Sequence, residues 1–317
     1  MDINIEILKK FEQTLDTLHP EKGRIPIEIL GWGEISMVFR LEGDNIAYKR
    51  IPIFDDETQV KRHIWAYNTY NKLLKRIGLK LPDYDVAWFR DQQGKIQFYC
   101  VQEMIDTNSV ANKLIHQISK EDIKLLVLLV LREMKKVWDF NQENNIFEVA
   151  LDGQISNFSV INLNHVNPTI DKKTKLQYLD TSTPLFRIKG NEAMEPELLL
   201  KSAPSFLRWL LKALFLEDTV NRYYDFRRVI IDLIANFYKE QKSEMIPELI
   251  GLANQFLKNE VKDHNIKPLN LEEIRDYYKD DAQMWEIFQR VRKLDRWIHS
   301  KLLGKRYPFY LPGKIER

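Results

Sequence analysis

The spacing of apolar residues changes character once along this chain, and that change limits the folds open to it. Between residues 25 and 53 apolar side chains recur at alternate positions in three short runs. These are Ile25-Pro26-Ile27-Glu28-Ile29-Leu30, Met37-Val38-Phe39-Arg40-Leu41 and Asn45-Ile46-Ala47-Tyr48-Lys49-Arg50-Ile51. A period of two marks strands buried on one face. Gly31 and Gly33 separate the first pair and Glu42-Gly43-Asp44 the second, as hairpin turns do. The pattern predicts a long helix over residues 56–77, ended by Gly78 and Pro82. Two more strands, 84–90 and 96–103, bracket the Asp91-Gln92-Gln93-Gly94 turn. After Asp106 the helical period takes over. Ile123, Val127, Val130, Met134 and Val137 form one stripe of a helix over 121–141. Helices then dominate from 196 to 303, with a stripe through Phe206, Leu210, Ala213 and Leu214, and with Trp209, Trp285 and Trp297 as core residues. A small hairpin interrupts at 158–163 and 175–180, joined by a polar loop over 164–174. A helix over 7–18 (Leu8, Phe11, Leu15, Leu18) comes first and stops at Pro20. Five strands and a helix, then a helical half, indicate an α+β fold with two unequal lobes. The smaller is expected at 1–105 and the larger at 106–317. A doubly wound parallel sheet would alternate strand and helix throughout.

Composition narrows the function classes. At roughly 150 residues per domain, 317 residues suit two lobes sharing a cleft. The 48 basic and 46 acidic residues are interleaved, without the basic stripe of a nucleic-acid or membrane-surface protein. Neither nucleic acid nor membrane is therefore an expected partner. The single cysteine, Cys100, excludes an intramolecular disulfide and a cysteine-built metal site, and fits a reducing compartment. Met1 to Glu6 hold no basic segment followed by an apolar core. The longest greasy run, Leu125 to Leu131, is far short of the roughly 20 residues that span a bilayer. A cytoplasmic protein is expected. The six histidines (His19, His63, His116, His165, His264, His299) show no helical pairing that would hold zinc, and no Gly-x-Ser-x-Gly elbow exists.

Four features carry chemistry. With only 11 glycines in the chain, Gly31-Trp32-Gly33-Glu34-Ile35-Ser36-Met37-Val38 places two of them between strands. There, backbone N–H groups can approach a phosphate chain unobstructed. Lys49 lies in a strand core, sharing a face with Ala47 while Tyr48 and Arg50 take the other, and an inward lysine needs an anion. Asp152-Gly153-Gln154-Ile155-Ser156-Asn157 precedes the small hairpin, and Asp180 ends its second strand. Two carboxylates and an amide form an all-oxygen set suited to magnesium with water and phosphate oxygens. Singly, each feature has a plain structural reading as a turn, a strand-edge lysine or a strand terminator. Their joint order is that of ATP-dependent phosphoryl transfer.

Over about residues 24 to 200 the chain resembles the protein-kinase-like superfamily, nearer its small-molecule branch of aminoglycoside and choline phosphotransferases than the eukaryotic protein kinases. The resemblance implies a nucleotide-binding role for Gly31, Gly33 and Ser36, with serine in place of a third glycine. It implies that Lys49 holds the α- and β-phosphates and that Asp152 is the catalytic aspartate. Asn157 and Asp180 match the metal-binding pair. Phe98 to Asp106 resembles the strand running into the interlobe hinge, where backbone groups of Glu103 and Met104 would meet adenine. The chain departs from the pattern in three places: Ala150 and Leu151 stand where His and Arg would precede Asp152, Gln154 replaces the lysine that assists the γ-phosphate in protein kinases, and Thr181-Ser182 replaces Phe-Gly. Glu57, the only glutamate of the helix after Lys49, is the candidate lysine partner. Its place in the first helical turn is equally explained by the macrodipole. The expected activity is ATP- and magnesium-dependent transfer of the γ-phosphate to a hydroxyl of a small molecule. The alternatives are a pseudokinase that binds a nucleotide or a protein partner, and an AMP transferase on the same fold. Glu195, Glu197, Glu217 and Asp218 are too scattered to mark a polycationic acceptor.

Overall fold

The alternating runs form one antiparallel sheet of β1 (Ile27–Trp32), β2 (Met37–Leu41), β3 (Ile46–Arg50), β4 (Tyr84–Arg90) and β5 (Ile96–Glu103), in the order β1-β2-β3-β5-β4. The computed structural model describes residues 1–17, 19–33, 36–204, 208, 212, 220–261, 266–302, 304 and 307–311. In register, Val38, Lys49 and Cys100 lie side by side on β2, β3 and β5. The pleat gives the sheet two buried faces. Met37, Phe39, Tyr48, Tyr99 and Val101 pack against Leu8 and Phe11 of helix α1 (Ile5–Thr14), whose first turn is capped by Asn4. On the other face Phe98 and Cys100 meet Val60 and Tyr67 of α2 (Glu57–Ile77). Asp56 caps the start of α2, its carboxylate accepting from the Gln59 N–H at 2.9 Å. Gly78 ends it at φ +100°, a left-handed conformation that a side chain would strain.

The remaining elements are mainly helical: α3 (Ala111–Leu114), α4 (Lys120–Glu143), α5 (Phe226–Lys239), α6 (Ile246–Glu260) and α7 (Leu271–Trp297). One core runs through Leu126, Val130, Ile230, Leu233, Leu249 and Ala253. The small hairpin is β7 (Phe158–Val160) with β8 (Leu176–Tyr178). A three-stranded sheet of β6 (Phe147–Val149), β9 (Phe186–Ile188) and β10 (Asn191–Glu192) is additional to the predicted elements. Its strands are too short to show alternation. Leu18, the stripe of Phe206, Leu210, Ala213 and Leu214, Trp209, His264, Glu217 and Asp218 lie outside the described residues. Trp297, read as core, is instead 52% exposed at the end of α7. Among the described residues no helix is long and apolar enough to cross a membrane.

A buried ion pair fastens α1 to the sheet. Arg50 Nε donates to Glu12 Oε1 at 2.5 Å, and both side chains are 3% exposed. The same guanidinium donates to Gln97 Oε1 at 2.8 Å and to the Pro308 carbonyl at 2.7 Å, and Tyr99 donates its hydroxyl hydrogen to Glu12. The segment at 307–311 thus returns to the sheet. Tyr307 donates to the Ser202 carbonyl at 2.9 Å, and Arg292 of α7 donates to the Tyr310 carbonyl. Removing one partner strands the other as a buried charge. Arg50→Met should therefore cost about 3–5 kcal/mol in urea unfolding. Glu12→Leu combined with Arg50→Met should recover part of that loss, because no unpaired charge then remains. Equal losses in the single and double variants would contradict this account.

Candidate functional site

A cavity of about 560 Å³ lies where the sheet meets the helical elements, within the range of small-molecule sites. Leu30, Val38, Ala47 and Ile105 give it apolar wall, and Lys49, Asn157 and Asp180 give it charge and amide. Lys49 reaches it by strand alternation: Tyr48 and Arg50 are buried on the α1 side, so Ala47 and Lys49 face the cavity. There Lys49 Nζ donates to Asp180 Oδ1 at 2.8 Å, joining residues 131 apart. Ser182 Oγ donates to the same oxygen at 2.8 Å. Burial pushes the Asp180 carboxyl up, but the Lys49 charge and the hydrogen bonds from Lys49 and Ser182 outweigh it and hold the group below the usual carboxylate range. Asp180 is positioned by its backbone neighbours. The Leu179 N–H donates to the Asn157 carbonyl at 2.8 Å, and Gln102 Nε2 on β5 donates to the Leu179 carbonyl at 2.8 Å.

Asp152 sits on a loop held from three sides. Tyr70 of α2 donates to the Ala150 carbonyl at 2.7 Å, and the Asp152 N–H donates to the Tyr178 hydroxyl at 3.2 Å. At Gly153 a Cβ would stand 2.5 Å from Val229 Cγ1 and 3.2 Å from the Val229 carbonyl oxygen. The glycine is required because α5 crosses directly against the loop. Asn157 Nδ2 donates to the Asp152 carbonyl at 3.2 Å, which leaves Asn157 Oδ1 without a hydrogen-bond donor among the described residues. Asp152 and Asp180 are thus in opposite electrostatic states. Burial first, and then the charge of Asp232 on α5, push the Asp152 carboxyl up to about 7. Asp232 is itself raised by burial while Arg222 pulls it the other way, and Tyr277 donates to its Oδ1 at 3.0 Å.

The remaining predicted residues fall into place unevenly. Gly33 donates its N–H to the Ser36 carbonyl at 2.9 Å, and a Cβ there would stand 2.6 Å from Ser36 Oγ and 3.9 Å from Lys49 Cε. Gly31 follows a β-bulge and has open space at its Cα. Glu34 and Ile35 lie outside the described residues. Glu103 and Met104 both line the cavity, but their N–H groups donate to Asp83 and Asn45 carbonyls, at 2.9 and 3.2 Å. The backbone donor left at this crossing, among the described residues, is Ile105 N–H. Glu57 does not meet Lys49. It pairs with Arg90 at 3.2 Å on the surface, 45% exposed, in the first turn of α2, and the carboxylate that Lys49 meets is Asp180. Residues unmarked in the sequence also join the site: Asp232, Arg222 and Lys239, the last of which lines the cavity. No local signal points to them, since each is an ordinary charge in a helical stretch. His63 of α2 is buried between Phe54 and Phe98, with its imidazole pushed down to about 4 by burial. Among the described residues no three His, Cys, Asp or Glu side chains gather to hold a metal. Asp180 with Asn157 Oδ1 is the oxygen-donor pair that fits magnesium, which needs few protein ligands beside water and phosphate.

A family model described as "Family of unknown function (DUF6206)" matches residues 12–296. No curated protein matches the chain. Among solved structures, WaaP in complex with acyl carrier protein aligns at 10% identity and a TM-score of 0.34, covering 82% of this chain and 89% of that one. The GDP complex of wild-type aminoglycoside 2'-phosphotransferase-IIIa aligns at 10% identity and 0.34, covering 91% and 98%.

The raised Asp152 midpoint has a testable sign. An unfolded aspartate titrates near ~3.9, so from there to about 7 the folded chain keeps a proton that the unfolded chain has lost. Stability from this group therefore falls as pH rises through that window, and the penalty is complete above it. Asp152→Asn should melt higher than wild type at pH 8 and equally at pH 4. Asp232→Asn should move the Asp152 midpoint down, by roughly one unit on removal of a neighbouring like charge, in a carboxyl NMR titration. An unmoved midpoint would show that the two carboxylates do not interact.

Proposed function

We propose that this chain, a member of the DUF6206 family of unknown function, is a kinase-like phosphotransferase that moves the γ-phosphate of ATP, with magnesium, to a hydroxyl of a small molecule. The observation that carries the reading is the convergence of Lys49, Asp180 and Asn157 on one cavity, with the Asp152 loop tied to it through Asn157. They come from a strand, a strand end and a loop far apart in sequence. In this reading the sheet with α2 forms a nucleotide-binding lobe over 1–105, and residues 106–317 form a larger catalytic and acceptor lobe. The segment at 307–311 returns as a strap across the first. The sheet order and the single long helix between β3 and β4 support that division.

The cavity's apolar wall suits a purine, and the carbonyls of Glu103 and Met104 with the Ile105 N–H offer it polar backbone groups. Lys49 would bind the phosphates, exchanging part of its pairing with Asp180 for phosphate oxygens. Asp180 and Asn157 would hold magnesium, which when bound neutralises phosphate charge. Gly33 leaves room for the chain to approach beside Lys49. Asp152 would orient the acceptor hydroxyl and take its proton as the acceptor oxygen bonds to phosphorus and the bond to the ADP oxygen breaks. A carboxyl held near 7 is a better base than an ordinary aspartate, because the proton is taken with less uphill cost. Catalysis would then be positioning and charge neutralisation.

Thermal denaturation with ATP, with and without magnesium, tests the reading. Ligand at 100 times its Kd stabilises by about 2.7 kcal/mol, enough to raise the melting temperature by several degrees. A magnesium-dependent rise is expected, and Asp180→Asn should abolish the metal dependence. Asp152→Ala should reduce turnover at least ~100-fold while leaving nucleotide affinity within a few-fold. A rise that ignores magnesium would favour a nucleotide-binding pseudokinase. Product mass that gains AMP instead of phosphate would favour nucleotidyl transfer. Absence of any nucleotide effect would overturn the proposal.

A further inference from the structure

The cavity's charge balance leaves one cation without an assigned role. Glu103, Asp180 and Glu240 line the cavity, with Asp152 half-buried and Asp232 buried nearby, so an entering phosphate chain needs cations to offset that acidic lining. Lys49 is paired with Asp180 at 2.8 Å, and Arg222 is paired with Asp281 at 3.4 Å. Lys113 and Lys239 also line the cavity, and among the described residues neither makes a direct ion pair, although the charge of Lys239 is felt by Asp232. They differ in placement. Lys113 is exposed on α3, whereas Lys239 is half-buried in the last turn of α5. Its Nζ stands 3.4 Å from Gln154 Oε1, two residues past Asp152, at the long limit of a hydrogen bond. A lysine at a helix C-terminus is ordinarily satisfied by the dipole and by solvent. This one is turned toward the loop that carries the proposed base, while the adjacent Glu240 bonds Asn112 at 3.3 Å.

We propose that Lys239 binds the terminal phosphate of ATP beside Asp152, supplying from α5 the positive charge that Gln154 leaves out of the loop. The inference rests on the phosphotransferase reading. A weak contact to a neutral amide is readily exchanged for charge-assisted bonds to phosphate oxygens, which are shorter and roughly twice as strong. The packing of α5 on Gly153 sets the distance, since the helix that carries Lys239 is seated directly on the loop that carries Asp152 and Gln154. The lysine acts on the γ-phosphate and not on the rest of the nucleotide, so ATP and ADP should respond differently to its removal.

Titration calorimetry of the full chain with magnesium-ATP and magnesium-ADP tests this in wild type, Lys239→Met, Lys239→Gln and Lys239→Arg. Loss of one charged hydrogen bond predicts about 10-fold or more weaker ATP binding in the Met and Gln variants, with ADP affinity within about twofold. Arg should retain most of the ATP affinity. Met and Gln differ in polarity and packing, so a folding defect in one leaves the other as the test, with the melting temperature as control. Equal changes for ATP and ADP, or no change for either, would overturn the role of Lys239 while leaving the phosphotransferase reading standing. Wild type that binds neither nucleotide would overturn both.

Discussion

Strand β3 carries two adjacent cations, and the pleat sends them to opposite faces, so that each must find its own acid. Arg50 finds Glu12 beneath α1, and Lys49 finds Asp180 in the cavity. The two pairs answer different demands. The Arg50 pair is closed on all sides by Gln97, Tyr99 and the Pro308 carbonyl, as a buried ion pair must be if desolvation is to be offset. The Lys49 pair is left partly open, with 20% and 31% of its two side chains exposed. A closed pair is a fastening, and an open one can exchange partners. The fastening fixes the strand whose preceding residue, Lys49, faces the cavity.

The same side-chain type occupies two states beside this cavity because its neighbours differ. Asp180 has a lysine and a serine hydroxyl on one oxygen and stays ionised below the usual range. Asp152 has a buried carboxylate for a neighbour and one backbone N–H from Gln154, and is driven up. Environments that separate the titrations of two carboxylates also separate their uses: a permanently charged group suits a cation, and one near neutrality suits a proton. Asp232 contributes to this separation without touching the cavity lining itself. It is buried behind the loop, held by Tyr277, and its charge acts on Asp152 over a distance that no hydrogen bond bridges.

How far the sequence discloses this arrangement follows from the range of each interaction. Strands β1 to β5 were legible because alternation over five to eight residues is a strong periodic signal. Strands β6, β9 and β10, of two or three residues, have no period to read, and tertiary contact alone defines them. Lys49 and Asp152 stand out only through their joint order with the glycine loop and Asp180, and that order does not disclose their partners. Glu57 is the only glutamate of α2, yet its carboxylate turns toward Arg90 of β4. The resemblance marked Glu103 and Met104 at the hinge, yet it could not show that both N–H groups are engaged by Asp83 and Asn45. Asp232 and Lys239 are seven residues apart on α5, and nothing in their own segment distinguishes them from any amphipathic helix.

What brings α5 to the site is a glycine whose obvious reading was a turn. Asp152-Gly153 is a common turn pair, but Gly153 does not need a left-handed backbone, and its φ lies outside that region. It needs the absence of a side chain, because Val229 on α5 and Met134 on α4 occupy the space a Cβ would fill. The helix can therefore approach the loop at backbone distance. One turn beyond Val229 lies Asp232, close enough to raise Asp152, and two turns further lies Lys239, close enough to reach Gln154. A single absent methyl group thus sets both the proton affinity of the proposed base and the position of the cation beside it. Adding a side chain at 153 would displace both together.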